Sequence, residues 1–161
     1  MNLTYRGDKM DKDTRIDKEA SPSGPVTYRD EDIIRFEEGI LGFPKSSRYI
    51  LVPHEADSPF VWLQSIDEDN LVFLLINPVC VRSDYVVELP ASAASKLNLT
   101  SASEGVVFAI VVVPEDPSKM RMNLRAPIII NSKERLGRQV VLEDNSLPVK
   151  CPVLPDADPG C

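Results

Sequence analysis

The stretch Phe60-Val61-Trp62-Leu63-Gln64-Ser65-Ile66 is followed by Asp67-Glu68-Asp69-Asn70 and then by Leu71-Val72-Phe73-Leu74-Leu75-Ile76. Two apolar runs of strand length with a polar four-residue link are the pattern of a β-hairpin. The same kind of run recurs along the chain at Ile33–Phe36, Tyr49–Val52, Tyr85–Leu89, Val106–Val113, Met120–Arg125, Pro127–Asn131 and Gln139–Leu142, with the chain punctuated by Pro, Gly, Asn or Asp. The run Val106-Val107-Phe108-Ala109-Ile110-Val111-Val112-Val113 does not alternate, so as a strand it is buried on both faces and belongs in the middle of a sheet. Helix is scarce. The best candidate is Ala91–Leu97, where small residues follow Pro90 and lead to Lys96 and Leu97. Many short strands and one short helix predict a mainly β protein, a small antiparallel-rich β-barrel that is closed or nearly closed, because closure removes edges that such apolar strands would otherwise expose.

The 161 residues suit one domain. Residues 1–25 hold five basic and five acidic side chains, then Ser21-Pro22-Ser23-Gly24-Pro25, and read as a disordered or tag-like leader. From Pro148 the chain carries four of its 14 prolines, and residues 151–161 read as a flexible Pro-rich tail. The folded barrel is expected over residues 26–150. Nothing approaches the ~20 apolar residues of a membrane span, and the charged N-terminus is unlike a signal peptide. A cytoplasmic protein is expected.

The chemistry available is limited. Cys80, Cys151 and Cys161 are odd in number and widely spaced, which argues against a disulfide framework, and Cys80 lies in an apolar stretch as a small buried hydrophobe would. With one histidine, His54, and no CxxC, a Cys/His zinc site has too few ligands, and His54 reads as a loop histidine. No nucleophile elbow, P-loop or dinucleotide fingerprint is present. Asp67-Glu68-Asp69-Asn70 lacks the alternating ligands and the glycine of an EF-hand and reads as a solvated turn. A hydrolase built on two of the 25 acids has no spacing in its favour. No cofactor, metal or catalytic residue is expected.

Charge says more. The formal net charge of −7 opposes direct binding to a phosphate backbone. It is also unevenly spread. Asp30 to Asp116 carries 15 acids and 5 bases, whereas Pro117 to Arg138 carries six bases and one acid. An acidic domain without a catalytic constellation suits the capture of a basic protein partner.

The block Phe36-Glu37-Glu38-Gly39-Ile40-Leu41-Gly42-Phe43-Pro44 resembles the opening signature of the FliW family of bacterial flagellar assembly factors. Further blocks follow in that family's order: Pro59-Phe60-Val61-Trp62-Leu63-Gln64-Ser65, Leu71-Val72-Phe73, Asn77-Pro78, Asp84-Tyr85, and Asn123-Leu124-Arg125-Ala126-Pro127-Ile128-Ile129-Ile130-Asn131 with Gln139. The resemblance runs from about Tyr28 to Leu142. Within it, Gly39 and Gly42 are read as turn glycines, Phe43 as packed with Pro44 closing the turn, Leu63 as core, and Gln64, Ser65, Asn123 and Asn131 as partners of buried backbone groups.

The resemblance implies a binding protein rather than an enzyme. Its implied partners are the translational repressor CsrA and flagellin: flagellin occupies the FliW-like protein as it accumulates, and its export frees that protein to antagonise CsrA. A monomer is expected for the chain by itself. Glu37, Glu38, Asp67, Glu68 and Asp69 are the candidate partner-binding acids. The alternative is a flagellin-specific chaperone without CsrA binding, and an exposed strand edge is a further candidate for peptide capture.

Overall fold

The longer strands of this chain are apolar on both faces, and the fold satisfies both by closing a sheet around one core and then covering its outside. The structure, a computed structural model, describes residues 14–16, 22 and 26–154. Its strands are β1 (Thr14–Ile16), β2 (Thr27–Arg29), β3 (Ile34–Arg35), β4 (Arg48–Pro53), β5 (Phe60–Ser65), β6 (Val72–Ile76), β7 (Gly105–Val112), β8 (Arg121–Met122), β9 (Ile128–Asn131), β10 (Leu136–Gln139) and β11 (Cys151–Pro152). One α-helix, α1 (Ala91–Lys96), lies between β6 and β7.

Strands β7, β6, β5, β4, β3, β10 and β9 are paired in that order, and β9 pairs back onto β7, so seven strands form a closed barrel. All neighbours are antiparallel except β3 and β10. The expected hairpin is β5–β6, with Leu63 opposite Phe73 and Val61 opposite Leu75. Cross-strand partners point to the same face, so the register builds the interior directly. Tyr49, Leu51, Leu63, Leu75, Phe108, Ile128 and Ile130 fill it, with Ile34 and Phe36 from β3 and its end. A fully buried Leu or Ile here contributes about 1.5–3 kcal/mol over an exposed one.

The outer face is covered in three patches. Val26 and Tyr28 lie over Ile50, Val52 and Trp62. Ala93 of α1 and Leu97 just after it lie over Ile129. Tyr85, Met122, Leu124, Cys151 and Val153 lie over Leu74, Ile76, Ala109 and Val111. This explains β7, whose Val106, Phe108 and Ile110 face the core while Val107, Ala109 and Val111 meet the covering segments. Its two halves also hand one edge from β9 to β8.

Several sequence-based expectations are corrected. Tyr85–Leu89 is not a strand: it pairs with no neighbour. The run Met120–Arg125 is a strand only at Arg121–Met122, because the Asn123 side chain caps a turn by accepting hydrogen bonds from Arg125 N (3.0 Å) and Ala126 N (3.1 Å). The last barrel strand is Leu136–Gln139, three residues earlier than expected, while Val140 and Leu142 bond irregularly to Pro127 and Arg125 carbonyls. Cys80 is exposed on a 3-10 turn, not buried.

The tail boundary also moves. Cys151 and Pro152 form β11 against β8, and Cys151, Pro152 and Val153 are buried, so the tail does not begin at 151. Pro152 fits there because an edge strand has no ladder partner for the missing N–H. Cys151 is disulfide-bonded, which leaves Cys80 as the free thiol among the described residues. In the expected leader, Thr14–Ile16 pairs antiparallel with Thr27–Arg29, and the rest of that segment apart from Pro22 lies outside the described residues.

Gly137 carries a steric burden at the seam between β3 and β10. A Cβ placed on it would lie 2.5 Å from Phe36 Cε2, inside a ring that is itself fully buried. Gly137→Ala is therefore expected to destabilise the fold by about 1–3 kcal/mol through overpacking, measured as a lowered urea midpoint at unchanged m-value. Phe36→Leu in the same background should recover part of the loss.

Candidate protein-binding surface

Residues 36–47 connect β3 to β4 at the end of the barrel where the β5–β6 hairpin also turns. Backbone bonds hold the connection closed: Phe36 N donates to Ser47 O (2.8 Å), Gly39 N to Phe36 O (3.0 Å) and Phe43 N to Ile40 O (2.7 Å). Both glycines have positive φ, +68° at Gly39 and +91° at Gly42. They differ in space. A Cβ on Gly39 would meet Phe43 O at 2.6 Å, whereas one on Gly42 would meet nothing. The turn thus presses its own backbone together at Gly39 and stands open at Gly42.

The hairpin tip is tied to this loop through hydroxyls and one carboxylate. Ser46 Oγ and Ser65 Oγ are 2.6 Å apart and buried, and Ser65 Oγ also accepts from Asp67 N (3.1 Å) and Glu68 N (3.0 Å). Asp67 Oδ2 accepts from Ser47 N and Arg48 N, both 2.8 Å, and its Oδ1 pairs with Arg48 Nε at 2.7 Å. Partial burial pushes the Asp67 carboxyl up, but these donors outweigh it and hold the pKa below the ordinary carboxylate value. Phe43 meets Phe73 edge-to-face at 5.5 Å, so loop and hairpin form one surface.

The five candidate acids therefore divide. Glu37 and Asp69 are exposed. Glu38 is exposed but bridges Lys96 Nζ (2.8 Å) and Arg138 Nη2 (2.6 Å), joining loop, α1 and β10. Arg138 first, then Lys96, lower its pKa to about 2. Asp67 is the staple just described, and Glu68 is half-buried with Oε2 shielded from solvent and without a hydrogen-bond partner. Between the acids, Leu41 is 66% and Phe43 39% exposed. Phe43, expected to be packed, meets Phe73 and is still exposed. Leu41 escaped the sequence reading because an isolated leucine in a turn looks like any other core residue.

The remaining motif residues hold the frame. Leu63 and Leu124 are fully buried, Pro127 is buried, and Pro78 is buried in a 3-10 turn that Asn77 caps by accepting from Val79 N at 3.1 Å. Gln64 is buried on β5 and donates to Ser65 O (3.3 Å). Burial raises the Tyr85 phenol to about 12, and its hydroxyl donates to Leu124 O at 2.7 Å. Asn131 accepts from Lys133 N and Glu134 N at 3.2 Å and donates to Leu97 O at 2.8 Å, tying the β9–β10 turn to α1. His54 packs at a tilt against Trp62 and Phe60. Among the described residues no group of three or more His, Cys, Asp or Glu could hold a metal ion, and no helix is long and apolar enough to cross a membrane.

Residues 18–153 match the family described as FliW protein. The chain belongs to the FliW family of flagellar assembly factors. A FliW from Caldicellulosiruptor saccharolyticus is 42% identical over 127 residues, covering 79% of this chain and 83% of the relative. One from Magnetococcus marinus is 37% identical over 135 residues, covering 83% and 82%. The fold is also that of a crystal structure of the flagellar assembly factor FliW, with a TM-score of 0.77 and 31% identity over 84% of this chain and 94% of that one. The FliW motif loop and the hairpin tip are thus one built unit, held by Ser46, Ser65 and Asp67.

Two measurements check this construction. Gly39→Ala should cost at least about 2 kcal/mol, since strain in φ adds to a backbone collision, whereas Gly42→Ala should cost only the roughly 1 kcal/mol of the φ strain; paired denaturation curves would show the difference. Glu38 stabilises the fold in its ionised form, so its contribution is present above its ordinary value of 4.5 and is lost as pH falls through about 2. In Arg138→Met the Glu38 carboxyl should titrate closer to 4.5, as read from its side-chain carbon shift in NMR.

Proposed function

We propose that this chain binds and antagonises the translational repressor CsrA and binds flagellin in the cytoplasm, coupling the flagellin level to flagellin translation. Membership of the FliW family carries the reading. What supports it in this chain is the barrel end where Leu41 and Phe43 stand exposed beside Glu37 and Asp69. An exposed apolar tip beside carboxylates is a surface for a basic protein partner: the apolar groups supply contact area and the acids speed encounter. A repressor that binds RNA is basic where it meets the message. Carboxylates docked beside that surface attract the repressor and repel the RNA.

Within the acid set, Glu37 and Asp69 are exposed and reach solvent at this surface, and Glu37 is the principal steering group. Asp67 and Glu38 spend their charge on Arg48, Arg138 and Lys96, and Glu68 is turned partly inward. Reversing Asp67 would test the hairpin staple rather than the partner surface.

A competition titration of CsrA, flagellin and a flagellin leader RNA against the full chain tests the reading. Both proteins should bind, the RNA should not, and flagellin should release CsrA. Glu37→Lys combined with Asp69→Lys should slow CsrA association roughly three- to tenfold at low salt and little at high salt. Flagellin binding without any CsrA complex would replace the reading with the flagellin-only chaperone; binding of neither would remove it.

A further inference from the structure

The segment Val86–Leu89 lies outside every helix, strand and turn, and none of its backbone N–H or C=O groups makes a hydrogen bond among the described residues. Its side chains alternate as a strand's do. Tyr85 is buried, Val87 and Leu89 pack into the apolar layer over β7 and β9, and Val86 and Glu88 are exposed. Val86 is 75% exposed, the most of any large apolar residue described. Unpaired backbone with a strand's alternation of buried and exposed side chains is a template on which an added strand forms.

The segment borders a groove of about 560 Å³. The floor is apolar, with Leu89, Leu142 and Leu147. Its opposite wall is the 143–147 loop, which Arg125 fixes by donating to Asn145 O (2.8 Å) and Leu147 O (3.0 Å). The loop is further closed by Asp144, whose Oδ1 accepts from Ser146 N at 2.9 Å. The groove is therefore a preformed shape.

Glu88, Glu143 and Asp144 rim it. Glu88 and Glu143 form no ion pair among the described residues, and the Asp144 carboxylate accepts from Ser146 N and Oγ. Arg125 lies close enough to Asp144 to lower its pKa, so the carboxylates left without a cation are Glu88 on one wall and Glu143 on the other, and these call for positive charge on the occupant. The apolar floor calls for alternate apolar side chains.

We propose that Val86–Leu89 and its groove form a docking edge for an extended basic peptide segment of a partner protein, which adds as a strand with apolar residues on the floor and Lys or Arg at the rim. The site lies on elements separate from the loop and hairpin acids, and the proposal is independent of the identity of the family's partners.

The probe is the synthetic peptide acetyl-Lys-Val-Lys-Val-Lys-Val-amide, with acetyl-Glu-Val-Glu-Val-Glu-Val-amide as its charge-reversed control. Titrated into the full chain and followed by amide NMR, the lysine peptide should shift Val86–Leu89 and residues 142–147, and the glutamate peptide should not. Val86→Pro removes a backbone donor at the edge, and Glu88→Lys with Glu143→Lys reverses the rim on exposed positions. Each should weaken lysine-peptide binding tenfold or more, with an unchanged thermal melt for the charge variant keeping the test valid if the proline variant is destabilised. Absence of lysine-peptide binding, shifts confined to other surfaces, or equal binding by the charge variant would overturn the proposal. So would a concentration-dependent dimer that Val86→Pro abolishes, because the edge would then serve a second copy of this chain.

Discussion

The barrel depends on its seam. Six of the seven contacts around the ring are antiparallel ladders, and the remaining one, between β3 and β10, is parallel with the single register pair Leu136–Arg35. So short a ladder cannot close a barrel on backbone bonds alone. The seam is closed by packing and by the chain that follows it: Phe36 lies against Gly137, Arg35 N donates to Arg135 O at 2.9 Å, Leu41 N donates to Gln139 Oε1 at 2.9 Å, and Glu38 takes Arg138. Every one of these contacts comes from the segment 35–41. The family's opening motif is therefore a closing device first, and its exposed apolar tip is a consequence of how tightly the loop must fold back to reach both β10 and the hairpin.

This arrangement also accounts for the charge distribution along the chain. The acidic stretch from Asp30 to Asp116 and the basic stretch from Pro117 to Arg138 are partners in space at the seam, where Arg138 meets Glu38. Other cations are spent nearby: Lys96 on the same Glu38, Arg48 on Asp67, and Arg125 on loop carbonyls. Glu37 in the loop and Glu88 and Glu143 around the groove form no ion pair among the described residues. These exposed bridges add little stability, since solvent screens them. Their contribution is geometric, because each pins a loop end whose backbone alone would leave it loose.

The β-hairpin, the double-sided burial of β7 and the position of α1 were legible in the sequence because each depends on local pattern: a polar link between apolar runs, an unbroken Val-rich run, and a Pro followed by small residues. The seam was not, since it depends on a contact between residues 36 and 137 that no spacing encodes. Cys151 and Pro152 were misplaced for the opposite reason. Proline argues against a central strand, but β11 is an edge, and the rule does not apply there. Of the candidate acids, residue type alone could not separate Asp67, which caps backbone N–H groups, from Asp69 two positions later, which lies at the surface. The sequence pattern also mistook Val86–Leu89 for a paired strand: its alternation is that of a strand, and only the three-dimensional arrangement reveals that no neighbour is supplied.

An unpaired edge is normally a hazard, because it invites pairing between copies of the same chain. Here the charge on the rim works against that outcome. Two copies meeting edge to edge would bring Glu88, Glu143 and Asp144 of one against those of the other, and like charges facing each other across a strand pair are destabilising. The same carboxylates favour a basic segment at the same position. Within about a Debye length, ~8–10 Å at ordinary ionic strength, the edge thus discriminates by sign before any hydrogen bond forms. Backbone pairing is indifferent to sequence, so a docking edge that must refuse its own copies has to obtain its selectivity from the side chains around it, and in this barrel those side chains are acids.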